Sequence, residues 1–509
     1  LGLVRSAGAT TPISWDRLPV WWRENALAIL VAFGAALIAY SSIVTQFLFT
    51  NHSVPNIFIY PYPSFKTFYE GRWFADIIIR LGGGGGTQSF QALAGFFFQA
   101  LNGVLFAEVL RVKGRANRIL IALLVALHPA VLDYYAFTID NASFTIGDSL
   151  LLLGAIALDR GQNRLVSWTA ATILFVLALA TYQPKIAVLA VILIAWVVSR
   201  TTSGHRDDKN IYAPMVAAAV CFVLAVILYR LSLFITTDLA TDTGIGQRTH
   251  MNSLREVAVE FFVSYQTVIV SSIRQIKSQP LLTGWATIPI VLGGTTVAAT
   301  RAARRSPLAV LLSLIGIAVL PPAINLAAVI NNESWTNTGR ISIGYVYALP
   351  FFVAVLMTGA WQQRIARLLA IIVIYGFFLV ATQQNQYMST KALFETNLLS
   401  RITGRIESIL PDDKPHPLVV LGYPSFDDGA LTMMYPDRPL RSQFNTAAFA
   451  PYRQPAIVNF FLGRSQLRFA TADEIALATS HASGRPAWPL AGSVYMDGDM
   501  VVVVLTPVP

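Results

Sequence analysis

The chain has 509 residues, 55% hydrophobic and 13% charged, with a mean hydropathy of +0.56. A soluble globular chain carries roughly 25% charged residues, so this composition excludes an ordinary soluble enzyme and places the protein in the membrane class. The formal charge of +10 would suit nucleic acid, but the basic residues stand in short clusters between apolar runs, as in cytoplasmic loops of membrane proteins, and no nucleic-acid partner is expected.

Residues 1–24 are polar and basic, with Arg5, Arg17 and Arg23, and are expected to be a cytoplasmic segment. The first apolar run, about Asn25 to Phe49, has the roughly 20 residues that a bilayer requires. It is too long for a signal-peptide core, so no cleavable signal is expected. A Pro-rich, aromatic loop follows. Its last third sets Arg72, Asp76 and Arg80 at i, i+4 and i+8 beside Trp73 and Ile77, the pattern of a helix lying along a membrane surface. The glycine run Gly82 to Gly86 reads as a hinge. It lacks the Lys-Ser/Thr tail and preceding strand of a phosphate loop.

Further spans are expected at about Gln91–Leu110, Ile119–Phe137, Ala142–Leu158, Leu165–Thr181, Ile186–Val198, Tyr212–Phe234 and Leu281–Ala299. Three more follow at Leu308–Ile330, kinked at Pro321–Pro322, Ile341–Ala360 and Leu368–Ala381, making about eleven helices in all. Between the seventh and eighth, Leu254, Val257, Phe261, Tyr265 and Val268 keep helical spacing, which predicts a second interfacial or partly inserted helix. With this count the basic clusters at 5–23, 111–118, 160–164, 200–209, 301–305 and 364–367 share one side, the cytoplasmic one. The loops 50–90 and 236–280 and the tail then face outward. From about Tyr387 the composition becomes that of a soluble domain. A helix is predicted over 391–410, strands at His416–Gly422, Ala456–Leu462 and Met500–Leu505, and a helix at Ala470–Thr479. The expected organisation is therefore a segment 1–24, a transmembrane domain 25–385 and a small α/β domain 386–509 on the outer face.

Ionisable groups near membrane spans are costly and tend to be functional, and most of those here gather at the outer ends of helices. The first outer loop holds Glu70, Arg72, Asp76 and Arg80; the next holds Asp133 and Asp140, with Asp148 about two turns deeper; Lys185 and Arg340 follow later. Each has a plain structural alternative. Arg72, Asp76 and Arg80 can be a solvated face, Asp140 a helix cap, Asp148 a partner in an intramembrane hydrogen bond, and Lys185 a snorkelling anchor. His52 and His250 stand without paired ligand spacing, and the single cysteine, Cys221, excludes a Cys-based site, so neither metal nor cofactor is expected.

Several short stretches together carry a resemblance. Glu70-Gly71-Arg72-Trp73-Phe74-Ala75 resembles the Gly-Arg-aromatic motif after the first span of the polytopic glucosyltransferase-II family, the serotype-converting O-antigen glucosyltransferases and their relatives. Phe137-Thr138-Ile139-Asp140-Asn141 resembles that family's aromatic-x-x-Asp-Ser element, Thr181-Tyr182-Gln183 its Tyr-Gln element, and Gly339-Arg340 its late arginine. The resemblance covers roughly residues 25–385. It implies a GT-C-like fold and a glycosyltransferase of the bacterial inner membrane, multi-pass, with the tail domain periplasmic. It further implies that a sugar, of glucosyl type, passes from a polyprenyl-phosphate-linked donor to a lipopolysaccharide, O-antigen or other cell-envelope glycan acceptor. That chemistry needs a carboxylate base and cations near the leaving phosphate. Asp140, Glu70 and Asp76 are the candidate catalytic carboxylates. Arg72, Lys185 and Arg340 are the candidate phosphate partners, and Tyr182, Gln183, Asn141 and Trp73 the candidate substrate contacts. One departure bears on the base: where many relatives carry an early acidic pair, this chain reads Asn51-His52-Ser53-Val54-Pro55-Asn56. Other activities on lipid-linked sugars (a glycan polymerase, ligase or flippase) and a transporter remain open at this point. A transporter often shows related halves, and no such repeat is visible.

Overall fold

The structure, a computed structural model, describes residues 18–46, 48, 67, 70–84, 87–135, 137–160, 164–202, 212–236, 252–278, 281–331, 343–412, 414–422 and 454–508. Arg340, the Asn51–Asn56 stretch and most of the 236–250 section lie outside the described residues.

The first part is a helical bundle. Its elements are α1 (Leu18–Ala39), the short α2 (Ser41–Thr45), α3 (Trp73–Leu81), α4 (Gln88–Val109), α5 (Arg115–Ala126) and the short α6 (Leu132–Tyr135). They continue with α7 (Asn141–Arg160), α8 (Arg164–Leu179), α9 (Lys185–Thr202), α10 (Tyr212–Thr236), α11 (Leu254–Ser278) and α12 (Leu281–Ala303). The series ends with α13 (Pro307–Ile324), the short α14 (Leu326–Ile330), α15 (Tyr345–Leu356) and α16 (Ala360–Ile409). Among the described residues eight helices are long and apolar enough to cross a membrane, or nine if the bent pair around Pro129 is one span. Two shorter apolar helices, α8 and α15, stand where the fifth and tenth spans are expected. The protein is a polytopic helical membrane protein.

The bundle has two chemically distinct ends. At one, Asp159 closes α7 and accepts from Arg111 at 3.0 Å, from Trp196 Nε1 at 2.8 Å and from Arg200. Arg305 donates to the Arg200 carbonyl, Arg118 pairs with Glu108 at 3.3 Å, and Arg367 bonds Asn117. Basic residues from four predicted loops thus lie at one end, here called the basic end. The starts of α4, α7 and α9 define the opposite, or site, end. Helix α11 is the interesting case, because it has the length and hydropathy of a span. Asn252, just before it, bonds the carbonyls of Val329 and Ile330 at the site end. Three residues beyond it begins α12, whose far end leads to Arg305 at the basic end. Both ends of α11 therefore lie toward the site end, as a partly inserted helix requires.

Within the bundle, the third span and the last helix depart from the sequence reading. The Pro129 ring cannot continue a helix, so the third span breaks after Ala126 and bends by 48°. The His128 side chain caps the following turn and its ring lies 4.9 Å from that of Phe377. The span expected at 368–381 and the helix expected at 391–410 are one 50-residue helix, α16. At 1.5 Å per residue it is about 75 Å long, far more than the roughly 30 Å hydrocarbon core. It passes Asn385, which bonds Ser42 at the site end, and continues beyond the bundle.

Its last turns enter a second core. Leu398, Leu399, Ile402 and Ile406 pack on a four-stranded sheet of β1 (His416–Leu421), β2 (Leu467–Phe469), β3 (Val494–Asp497) and β4 (Met500–Val504). The order is β2-β1-β4-β3, with β1 parallel to both neighbours and β3 antiparallel to β4. The strand expected at Ala456–Leu462 is instead helix α17 (Gln454–Leu462). Ile457, Val458, Phe461 and Leu462 recur at helical spacing there, and Pro455 sits in the first turn, where its missing N–H costs nothing. Asn459 ties this helix to β2 by accepting from Gln466 N and Leu467 N. Helix α18 (Ala472–His481) opens with a Thr471–Glu474 capping box.

Candidate active site

Glu70, Gly71 and Arg72 form a turn that enters the bundle before α3 begins. Gly71 has φ of +66°, and a Cβ there would lie 2.7 Å from Leu233 Cδ2, so both backbone and space call for glycine. The turn folds two charged side chains together. Glu70 and Arg72 are 5% and 6% exposed and pair at 2.9 Å. Gln183 holds the turn from the other side: its Oε1 accepts from Arg72 Nε at 3.2 Å and its Nε2 donates to the Glu70 carbonyl. The Arg72 guanidinium lies 4.6 Å from the Tyr182 ring centroid, a stacking that favours arginine over lysine. Tyr229 of α10 donates to the Gly71 carbonyl at 3.1 Å. Helix α3 docks by donating Phe74 N and Ala75 N to the Ala180 carbonyl, and Trp73 Nε1 bonds Ser232. Trp73 thus contacts α10 and stands apart from the Glu70–Arg72 pair.

The expected Arg72–Asp76–Arg80 stripe does not form as a unit. Arg72 precedes the helix, with φ −102° and ψ 53°, so helical spacing does not apply to it. Asp76 bonds Thr67 at 2.7 Å and Arg80 at 2.6 Å. Asp140 is buried at the start of α7, where its carbonyl accepts from Ser143 and Phe144. Phe144, one turn on, packs at 4.8 Å on Tyr182, the ring beneath Arg72. One aromatic layer therefore separates the Asp140 segment from the arginine.

Lys185 lies elsewhere. It is fully buried and bonds Asp148, while donating to Tyr134 Oη at 2.7 Å; Tyr347 donates to the other Asp148 oxygen at 3.1 Å. The structure thus seats Lys185 in an ion pair inside the bundle, and its partner Tyr134 packs at 5.0 Å on Phe144, the ring next to Tyr182. It gives Asp148 the intramembrane partner that the sequence left as one alternative.

A third feature escaped the sequence reading. Gln88, Gln91, Gly95, Gln99 and Asn102 line one face of α4, at spacings of three and four, against Asn141, Thr145 and Ser149 of α7. Toward the middle of the bundle this seam is closed: Asn102 donates to Thr145 O at 2.9 Å, Ser149 donates to Asn102 Oδ1 at 2.6 Å, and Gln99 bonds Val125 O. The signal was present as amides recurring through an otherwise apolar span.

Among the described residues no group of three or more His, Cys, Asp or Glu could hold a metal ion.

Residues 49–358 match the model of glucosyl transferase GtrII, and the chain belongs to that family. The family's description is that of glucosyl transferases. No curated protein sequence matches the chain. Among solved structures it is similar to the Archaeoglobus fulgidus oligosaccharyltransferase, solved as a complex with Zn and sulfate, at 11% identity and a TM-score of 0.40, over 77% of this chain and 60% of that one. The chain thus spans less than two thirds of that protein. It is also similar to ArnT from Cupriavidus metallidurans bound to undecaprenyl phosphate, at 12% identity and a TM-score of 0.32, over 84% of this chain and 89% of that one.

Proposed function

We propose that the chain transfers a glucosyl-type hexose from a polyprenyl-phosphate-linked donor to a hydroxyl of a lipopolysaccharide O-antigen or other cell-envelope glycan, at the periplasmic face of a bacterial inner membrane. The observation that carries this reading is the buried Glu70–Arg72 turn, braced by Gln183 and Tyr182 at the end of the bundle opposite the basic residues. The positive-inside rule makes that end periplasmic, together with the tail domain reached by α16. A lipid-linked donor suits the place. Beside the turn, α10 presents Phe234 and Ile235 at 70% and 86% exposure, a surface for a hydrocarbon chain.

In the reaction the acceptor hydroxyl oxygen attacks the anomeric carbon, the bond from that carbon to the phosphate oxygen breaks, and polyprenyl phosphate leaves. The hydroxyl proton goes to a carboxylate. Asp140 is the proposed base, on its buried place at the start of α7 and in the Phe137–Asn141 element that resembles the family's. Arg72 meets the developing charge on the leaving phosphate as a fork of N–H donors, with Arg340 as a second proposed cation. Gln183 and Tyr182 fix the Arg72 fork, and Lys185 acts as a positioning residue through Asp148.

The test is transfer by the purified protein in proteoliposomes, from radiolabelled undecaprenyl-phosphoglucose to extracted lipopolysaccharide. Arg72→Ala is expected to lower the rate about 10²- to 10³-fold, the usual loss for one charge-stabilising group, and Asp140→Asn to abolish it, with both proteins still monodisperse. Wild-type protein that moves a soluble solute by counterflow, or builds a polymer from the donor alone, would replace this reading with the transporter or polymerase.

A further inference from the structure

We infer that the site end of the α4–α7 seam binds the hydroxyl face of a sugar ring, at a place distinct from the Glu70–Arg72 turn. The inference rests on the glycosyltransferase reading above and adds where a sugar is held.

The same two helices treat their polar residues in opposite ways along their length. In the middle of the bundle Gln99, Asn102, Thr145 and Ser149 satisfy one another or a backbone carbonyl. One to two turns nearer the site end, Asn141 is fully buried, and among the described residues neither its Oδ1 nor its Nδ2 has a hydrogen-bond partner. Gln91 Oε1, Thr138 Oγ1, Tyr40 Oη and Tyr135 Oη are in the same condition, and all four residues are fully buried. Tyr40, Tyr135 and Asn141 form one neighbourhood, and Thr138 stands three residues before Asn141 in the chain. The Tyr40 and Tyr135 rings lie 4.9 Å apart, and both pack on Phe96, at 6.1 and 4.6 Å. The residue before Phe96 is Gly95, whose backbone lies flush against the Asn141 amide: a Cβ there would come within 2.2 Å of Oδ1. Gln91 is one turn back on the same face of α4.

Folded proteins leave few buried polar atoms unpaired. Five residues on four segments, beside a closed version of the same seam, mark a place whose hydrogen bonds are completed by a ligand. The chemistry of the atoms selects its class. They are hydroxyls and amides, so they both donate and accept, and none is charged. The cations that a phosphate needs are at Arg72. Aromatic rings beside neutral hydrogen-bonding groups suit a hexose, which has apolar C–H patches and hydroxyls. The ring belongs either to the donor or to the acceptor, and the chemistry is the same for both.

The experiment uses the full chain in detergent with Tyr40→Phe, Tyr135→Phe and Asn141→Ala. The two Phe variants remove only a hydroxyl from apolar surroundings, so neither should lower the thermal midpoint. Affinities for undecaprenyl-phosphoglucose and undecaprenyl phosphate are compared, and KM for lipopolysaccharide is measured. If the site holds the donor sugar, the preference for the glucosylated lipid falls about five-fold per lost hydrogen bond and affinity for the bare lipid phosphate is unchanged. If it holds the acceptor, the lipopolysaccharide KM rises by a similar factor and the donor preference is kept. Wild-type affinities in all three variants, with wild-type transfer intact, would show that water alone occupies these groups and would overturn the inference. Absence of transfer in the wild type would instead sink the glycosyltransfer reading on which it rests.

Discussion

Replacing Lys185 with Met removes the cation from a fully buried ion pair while nearly keeping the volume of the side chain. Asp148 would lose its ammonium partner and keep only the Tyr347 hydroxyl at 3.1 Å. Tyr134 would lose the hydrogen bond at 2.7 Å. Breaking a buried pair from one side costs about 3–5 kcal/mol, because an uncompensated charge stays behind. Removing both charges costs far less and is often neutral. The expected order of stability is therefore wild type, close to Asp148→Asn/Lys185→Met, with Lys185→Met well below. The assay is the thermal midpoint by size-exclusion chromatography in detergent, read beside transfer activity in proteoliposomes. The activities carry the sharper test. If Lys185 only positions its neighbours, the double variant recovers part of the rate lost in the single one. If Lys185 contacts the donor phosphate, the double variant stays as inactive as the single. A Lys185→Met protein as stable as wild type would refute the reasoning outright.

Gly95→Ala should overpack the Asn141 amide, at a cost of about 1–3 kcal/mol; adding Asn141→Ala should restore the thermal midpoint and leave substrate KM impaired, and a harmless single substitution would contradict the close approach at 2.2 Å. Gln183→Glu should place a carboxylate oxygen against the Glu70 carbonyl, lowering both the thermal midpoint and kcat, with a loss of about 1–3 kcal/mol from the unpaired group; unchanged initial rates would remove Gln183 from the template of the turn. In the C-terminal domain, the hydrogen bond from Arg468 and the Thr471 N–H pull the Glu474 carboxyl down from 4.5 to about 2. A depressed carboxyl stabilises the fold above its unfolded pKa and loses that contribution as pH falls through the folded one. The difference in thermal midpoint between wild type and Glu474→Gln should accordingly shrink between pH 5 and pH 2, and a difference independent of pH would deny the linkage.

Spans and charge clusters were readable because bilayer length and the side of basic loops are both one-dimensional properties of a sequence. The long α16 was not. The polar Gln383-Gln384-Asn385-Gln386 stretch ends the hydropathy peak, yet no proline occurs from 360 to 409, so the helix continues where the membrane signal stops. At Ala456–Leu462 the β-branched and aromatic residues suit a strand, but Pro455 in the first turn and the helical recurrence of Ile457, Val458 and Phe461 suit the helix that forms. At the site, the Glu70-Gly71-Arg72 and Tyr182-Gln183 stretches were both visible as motifs, and the structure joins them. What no spacing rule contained was that Arg72 stands outside helix α3, or that Lys185 and Asp148, 37 residues apart, meet. Those contacts depend on how α3, α7 and α9 pack. The amide stripe of α4 was legible in principle, since its period is helical, but inside an apolar run its members read as tolerated exceptions.

The Tyr182–Lys185 corner gives these pieces a common mechanical origin. Tyr182 and Gln183 hold Arg72 and the Glu70 carbonyl; Lys185, after Pro184, holds Asp148 and Tyr134. The corner is stiffened by Lys185 N bonding Tyr182 O at 3.0 Å and Ile186 N bonding Gln183 O at 3.1 Å. A shift of Lys185 therefore moves the groups that aim Arg72, through this backbone and through the ring contacts Tyr134–Phe144–Tyr182. Residues that share such a backbone element couple energetically, typically by about 0.5–3 kcal/mol, whereas distant independent sites add. A double-mutant cycle of Lys185→Met with Gln183→Ala, read as kcat, should show coupling in that range, the second substitution costing less once the first has loosened the corner. The same cycle between Lys185→Met and Arg80→Ala, on the exposed face of α3, should be additive. Equal behaviour in the two cycles would mean that the buried ion pair stabilises the bundle without aiming the arginine.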